Sequence, residues 1–358
     1  MTQSNLFDVD AILAVPSRPK DELVHAVESH SAALFSWDYH RDTASQLDRL
    51  YEKAKRSQWN ANDLPWETPV DPYAIAAAQV GQRGGKVDFS GTVVEKWGDK
   101  EWIEFSVASQ RWMLSQFLHG EQGALLCSAR LVEAVPSFEM KLNGAAQTID
   151  EARHVEVFAK YLDTKLGGAF QINAHLGALL DDVLVDSRWD MVYLGMQIMV
   201  EGLALAAFGF MRQLTPDPLL RTLLQQVMAD EARHVAFGTL SLADVYRNMT
   251  SAELAERAEF AFEASLRMRD RFLQQEVWES FDIDPRIVIP RLLDDPDRVL
   301  FQALLFQKIV PNCRKLGLLD ANDGWLRNRF ADLGVIHFEH ADATDTEVEA
   351  GMFELAAS

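Results

Sequence analysis

Asp150-Glu151-Ala152-Arg153-His154 recurs letter for letter as Asp230-Glu231-Ala232-Arg233-His234. Each copy sets a carboxylate and an imidazole three residues apart, a spacing that on a helix aims both side chains at one neighbour. The repetition extends outward from the pentapeptides. Glu121 lies thirty residues before Glu151 and Glu201 thirty before Glu231, while Leu125 matches Leu205 and Pro136 matches Pro216. Each proline falls midway between a lone Glu and its Glu-x-x-His. Because proline cannot continue a helix interior, each half reads as a helical hairpin that turns near Pro136 or Pro216. At ~1.5 Å per residue, roughly fifteen residues out and fifteen back return the Glu and the Glu-x-x-His to one height.

A solvated charged face and a satisfied core histidine would explain one isolated copy. The neighbours argue otherwise. Glu121 precedes Gln-Gly-Ala-Leu-Leu-Cys, and Glu201 is the single charge in the run from Met196 to Phe210. A carboxylate in such surroundings is strongly penalised unless a cation pairs with it. Four Glu and two His are the ligand set of a two-metal carboxylate site inside a four-helix bundle. We assign Glu121, Glu151 and His154 to one metal and Glu201, Glu231 and His234 to the other, with Glu151 and Glu231 as bridges. Carboxylate and imidazole suit iron or manganese, whereas cysteine, which favours zinc or iron–sulfur clusters, is absent from both motifs. The expected cofactor is two Fe ions, with Mn/Fe as the alternative. Two such metals deliver two electrons to O2 at one place.

Composition fits a globular enzyme. With 48% hydrophobic residues in a chain of 358, a large core can be buried, and no Gly/Pro/Ser-rich stretch divides the chain. We read residues 1–358 as a single domain: an N-terminal arm and helices over 1–99, a di-metal core over 100–250, and C-terminal helices with an acidic tail over 251–358. The net charge of −20 argues against nucleic acid and anionic lipid as partners. The first ten residues lack the features of a signal peptide, and no run approaches the ~20 apolar residues that span a bilayer. The cytoplasm is therefore the expected location, without a membrane. Cys127 and Cys313 read as small buried hydrophobes.

Apolar periodicity predicts an all-α chain. Helices are expected over Asp42–Ser57, about Lys100–Val135, about Ala146–Lys165, about Asp190–Leu214 and Pro218–Asn248. The segment from Phe170 to Trp189 must carry the chain back across the bundle. Two further helices are expected over Ala252–Ser280 and Asp297–Leu318, and the acidic stretch from Asp342 to Glu354 reads as a frayed end.

Through Glu121, Glu151-Ala-Arg-His154, Glu201 and Glu231-Ala-Arg-His234, residues 100–250 resemble the ferritin-like di-iron carboxylate superfamily. The fuller Asp-Glu-x-Arg-His form looks most like its branch of oxygenases and ribonucleotide reductase small subunits. That resemblance implies a four-helix bundle of two hairpins with a crossover. It also implies that Asp150 orients His234 and Asp230 orients His154 across the bundle. Arg153 and Arg233 would neutralise those carboxylates, or else form ordinary surface salt bridges. The segment Leu50 to Asn60 is similar to the N-terminal arm of that branch.

Departures separate the chain from individual subfamilies. Phe158 stands where radical-generating subunits carry Tyr, which excludes a stable tyrosyl radical there. Gly123 and Met196 occupy the positions that ligand-binding oxidases cross-link as Val and Tyr. Val227 replaces the extra His of arylamine N-oxygenases, and Leu205 and Ala204 replace the Thr of multicomponent monooxygenases and of acyl-carrier-protein desaturases.

Helical spacing predicts a lining of Phe117, Leu118, Ala124, Leu125, Phe158, Gln197, Ala204, Leu205, Phe208 and Gly238 around the metals. Of these, Phe117, Phe158, Gln197, Ala204, Leu205 and Phe208 are the candidate substrate pocket, with Gln197 the inward polar contact. Plain bundle core is the competing explanation. The expected function is an O2-activating oxidoreductase, a di-iron oxygenase or oxidase acting on a small, largely apolar substrate by hydroxylation, N-oxygenation or desaturation. The alternatives are a ferroxidase or iron-storage protein, or a radical-generating partner subunit. Lacking a Gly-rich dinucleotide fingerprint and a cysteine cluster, the chain needs a separate electron donor such as a ferredoxin or reductase. A homodimer is implied by the resemblance alone.

Overall fold

The computed structural model describes residues 8–19, 21–80, 87–293 and 295–341; the acidic stretch from Asp342 to Glu354 lies outside them. The described residues contain helices and no strands. In chain order these are α1 (Val9–Leu13), α2 (Gln46–Arg56), α3 (Pro72–Val80), α4 (Asp99–Ala134), α5 (Phe138–Leu166), α6 (Ala174–Val185) and α7 (Trp189–Tyr193). They continue with α8 (Glu201–Leu214), α9 (Pro218–Tyr246), α10 (Ser251–Asp270), α11 (Gln275–Ser280), α12 (Pro285–Leu293), α13 (Pro296–Lys315) and α14 (Ala321–Asp332).

The hairpins turn where the prolines fall. α4 ends at Ala134, and after Val135-Pro136 the Ser137 side chain caps α5 by accepting from the Met140 N–H. At the second turn, Asp217 accepts from the Leu219 N–H at 2.8 Å, with Pro218 opening α9. Such caps satisfy backbone donors that a helix start leaves unpaired, and a first-turn proline removes one. Capped so close to the proline, α5 begins at Phe138 rather than at the expected Ala146. It ends at Gly167, whose φ of +75° suits a residue without Cβ.

α4 packs along α5, and α8 along α9, giving the four-helix core. α6 forms a helical part of the crossover and packs against α4 and α10. α2 lies across α5 and α9, the two helices that carry the pentapeptides. Leu131, Leu219 and Leu223 are fully enclosed, each contributing roughly 1.5–3 kcal/mol by burial.

The continuous helical stretch Trp189–Leu214 spans 26 residues and is long and apolar enough to cross a bilayer, contrary to the expectation that no run approaches that length. Within its most apolar window 89% is buried, as befits the central helix of this bundle.

Two local breaks interrupt the helices, the first with Gly195 inside it and the second without proline or glycine. Leu194–Val200, between α7 and α8, winds as a π-helix and delivers Glu201. Gly238 on α9 faces that wider turn. A Cβ there would stand 2.6 Å from the Gln197 Cβ, so the missing side chain makes the room. The second break divides the helix expected over Ala252–Ser280. α10 stops at Asp270, Arg271–Leu273 form a single 3₁₀ turn, and Gln274 adopts φ +56°. Ser109 Oγ donates to Gln274 Oε1 at 2.8 Å, anchoring a conformation uncommon outside glycine. Beyond Ser251, α12 and α14 add to the two helices expected there.

Candidate metal centre

α4 supplies Glu121, α5 supplies Glu151 and His154, α8 supplies Glu201, and α9 supplies Glu231 and His234; all six are buried. Their oxygen and nitrogen atoms gather into two groups, Glu121-Glu151-His154-Glu231 and Glu151-Glu201-Glu231-His234, with the donors of each group within 4.8 Å of one another. Glu151 and Glu231 belong to both. Glu151 Oε2 lies 3.2 Å from His154 Nδ1 and its Oε1 3.0 Å from His234 Nδ1. Glu231 is arranged likewise, Oε1 3.0 Å from His154 Nδ1 and Oε2 3.5 Å from His234 Nδ1. One oxygen toward each side is the arrangement a bridging carboxylate needs.

The far side of each imidazole faces the opposite hairpin. His154 Nε2 is 3.2 Å from Asp230 Oδ2, and His234 Nε2 is 3.2 Å from Asp150 Oδ2. An ionised carboxylate accepts, so each Nε2 carries the proton and each Nδ1 turns to the centre. Arg233, 5% exposed, donates to Asp150 at 2.9 Å and to Asp230 at 2.6 Å. Arg153 pairs with Asp150 and approaches Asp230 at 3.4 Å. The two arginines close an internal four-member network rather than forming ordinary surface bridges.

The N-terminal arm completes that network. Trp59 Nε1 donates to Asp230 at 2.8 Å, Gln58 Nε2 donates to Asp150 at 3.1 Å, and Arg153 lies over the Trp59 ring. Only the general likeness of the Leu50–Asn60 segment pointed toward this contact. Gln147 was not anticipated at all. Its Nε2 donates to Glu151 Oε1 at 3.0 Å and to Glu201 Oε1 at 2.9 Å, and its Oε1 accepts from Gln197 at 3.3 Å. The available signal was its place one turn before Glu151 on the same helix. Gln197 does point inward and is fully buried, but Gln147 stands between it and the carboxylates.

Burial pushes Glu121 and Glu201 well above the ordinary carboxylate range, and neighbouring carboxylates push the same way. Burial acts on Glu151 similarly, but the flanking His234 and His154 outweigh it and hold this carboxyl far below its usual value. Both imidazoles resist charging through burial, yet the surrounding carboxylates raise them well above an ordinary histidine. Glu201 Oε2, both Glu231 oxygens and His234 Nδ1 are buried without any hydrogen bond. Orphaned hard donors facing one another in a dry core match the demands of a pair of metal ions.

A chamber of about 20 Å³ adjoins Glu121, Glu201 and Glu231, and Phe117, Ala124, Ala204 and Phe208 wall it as expected. Phe158 sits behind that wall, its ring centroid 6.0 Å from Phe117 and 5.8 Å from Phe208. Leu118, Leu125, Leu205, Gln197 and Gly238 do not line it. Leu118 and Leu125 lie on α4 and Gly238 on α9, while Gln197, on the π-helix, turns to Gln147 instead. Arg271, absent from the expected lining, does border the chamber. A second, mostly apolar cavity of about 520 Å³ shares Phe117 with the first and is bordered by Met113, Phe210, Met211, Leu214 and Phe301, with Gln79, Gln110, Thr215 and Asp295 among its polar lining.

The fold is thus all-α and ferritin-like, with buried carboxylates and imidazoles grouped so that they could hold two metal ions. Among solved structures, an R2-like ligand-binding oxidase with aerobically reconstituted metal cofactor after photoconversion shares this fold at a TM-score of 0.50 and 17% identity. The alignment covers 76% of this chain and 94% of that one. A tyrosine-to-phenylalanine mutant of an R2-like ligand-binding oxidase with aerobically reconstituted Mn/Fe cofactor gives the same TM-score, identity and coverage. No protein-family model matches the chain, and no curated protein matches its sequence.

Proposed function

We propose that the chain is an O2-activating oxidoreductase holding two iron ions, or manganese and iron, that oxidises a small, largely apolar organic substrate. The reaction is a hydroxylation, N-oxygenation or desaturation. The observation that carries this reading is the convergence of Glu121, Glu151, His154, Glu201, Glu231 and His234 into two buried donor groups sharing two carboxylates. A metal pair bound there supplies two-electron chemistry toward O2 at a single point.

The protein's own part is positional. Asp150 and Asp230 hold the Nε2 protons of His234 and His154, which keeps both Nδ1 lone pairs aimed at the centre. Gln147 fixes one oxygen each of Glu151 and Glu201, leaving the second Glu201 oxygen to meet a cation. Phe117, Phe158 and Phe208 exclude bulk water beside it, and the small chamber admits a molecule the size of water or O2. The larger apolar cavity beyond Phe117 suits an organic substrate. Electrons come from a separate ferredoxin or reductase in the cytoplasm, since the chain carries only two cysteines and both are buried.

Anaerobic Fe(II) loading followed by O2 is the test. Two metals per chain and an oxidised di-metal absorption band are expected, and loaded protein that develops no such band on O2 addition refutes the oxidase reading.

A further inference from the structure

Arg271 is a buried arginine without a carboxylate. It is 2% exposed, and no hydrogen bond or ion pair joins its guanidinium to any described residue; its recorded contact is with the face of Phe272, 4.6 Å from the ring centroid. Burial pushes the guanidinium down to about 9, which leaves it charged at neutral pH. Other arginines buried to a similar degree are balanced: Arg233 by Asp150 and Asp230, Arg257 by Asp190, Arg269 by Asp270. An isolated charge in a dry interior is among the costliest features a fold can hold.

The charges of the metal centre do not balance it either. Four glutamates would offset two divalent metals held there, and Asp150 with Asp230 offsets Arg153 with Arg233. One positive charge remains, at a defined place. Arg271 borders the chamber beside Glu121, Glu201 and Glu231, while Phe272 and Gln274 of the same turn border the 520 Å³ cavity. Phe117 belongs to both walls. The Ser109 bond to Gln274, a residue at positive φ, therefore holds one turn against two spaces that Phe117 separates, a mostly apolar one and one lined by Arg271 and three glutamates.

We propose that Arg271 binds the carboxylate of an organic acid whose apolar body fills the larger cavity, reached by displacing Phe117. A monoanion matches the single unbalanced charge, and a carboxylate matches the planar guanidinium fork. This narrows the substrate class and rests on the oxidase reading only for what becomes of the acid, not for its binding. The carboxylate is held by the protein and not by the metals.

The probes are benzoate and hexanoate, each compared with its alcohol, titrated calorimetrically into wild type, Arg271→Lys and Arg271→Met, metal-loaded and metal-free. At least one acid is expected to bind wild type in both metal states, and its alcohol at least about tenfold more weakly. Arg271→Met should lose about tenfold to a hundredfold in acid affinity and Arg271→Lys only part of that. Without ligand, Arg271→Met should melt above wild type, because the unpaired charge is gone. Four results overturn the proposal: acids binding wild type no better than alcohols, acid preference surviving in Arg271→Met, acid binding that requires metal, or Arg271→Met melting below wild type. Normal metal loading without acid preference refutes this proposal alone. Acid binding to a protein that takes up no metal refutes the oxidase reading alone.

Discussion

The first hairpin and the second carry the same pentapeptide yet deliver their lone glutamates differently. Glu121 rides on α4, a continuous helix, and its Oε2 meets His154 Nδ1 at 3.2 Å. Glu201 follows a seven-residue π-helix, meets Gln147 through Oε1, and leaves Oε2 without a partner, 3.9 Å from His234 Nδ1. A sequence repeat thus produces a pseudo-symmetric donor set with unequal halves. Under the proposed function, the half with the looser carboxylate is the one with an oxygen free to turn toward a metal. Irregular helix next to a functional residue is a recurrent place for that freedom.

The shared carboxylates should erase the difference between the halves. Glu151→Ala removes an oxygen from both donor groups, so metal content measured by mass spectrometry should fall from about two ions per chain to below about one. Glu121→Ala and Glu201→Ala should each spare one ion. Loss of both ions in either single variant would mean that the halves do not bind separately.

Acid should weaken both halves. His154 and His234 are raised above the ordinary histidine value and Glu121 and Glu201 above the ordinary carboxylate value, so the metal-free protein holds protons that a metal must displace. Metal affinity should therefore fall as pH falls, by about tenfold per unit for each proton released. Competition with a chelator between pH 8 and pH 6 reads the slope, and a flat profile would contradict the assignment.

Asp150→Asn and Asp230→Asn test whether the crossed hydrogen bonds matter equally. Each should cost about tenfold to a hundredfold in metal affinity, with the ion nearer His234 affected by the first and the ion nearer His154 by the second. Equal loss of both ions in each variant would point to the arginine network acting as a unit.

Packing gives the smallest contrast. Gly238→Ala drives a Cβ to 2.6 Å from the stem of Gln197 inside the π-helix, and should destabilise the fold by roughly 1–3 kcal/mol in a denaturant melt. Gly123→Ala in the first hairpin meets the end of the Leu180 side chain at the same distance, which can turn aside, so its cost should be lower. The reverse order would mean that the π-helix yields more readily than a leucine rotamer.

Much of the centre was legible because its signals are local. A Glu-x-x-His needs only a helix to aim two donors together, and Pro136, Pro216 and Gly167 punctuate helices through their own backbone limits. The helix starts at Phe138 and Gln275 were less legible, since caps and turns drawn from ordinary polar residues compete with periodicity. Gln197 is fully buried. That it would meet Gln147 instead of a carboxylate depended on the π-helix, which no residue type announces.

The sequence by itself determined the donor set, the pairing of its members in two hairpins and their common height, because each follows from residue spacing along a helix. Only the tertiary structure decided which oxygens face which imidazole, and that Gln58 and Trp59 reach Asp150 and Asp230 from a distant arm. It also placed Arg271 at the chamber beside Glu121, Glu201 and Glu231. Those features arise from contacts between residues tens to more than a hundred positions apart. Their energies depend on burial and on what charge lies opposite, and neither is written in a spacing.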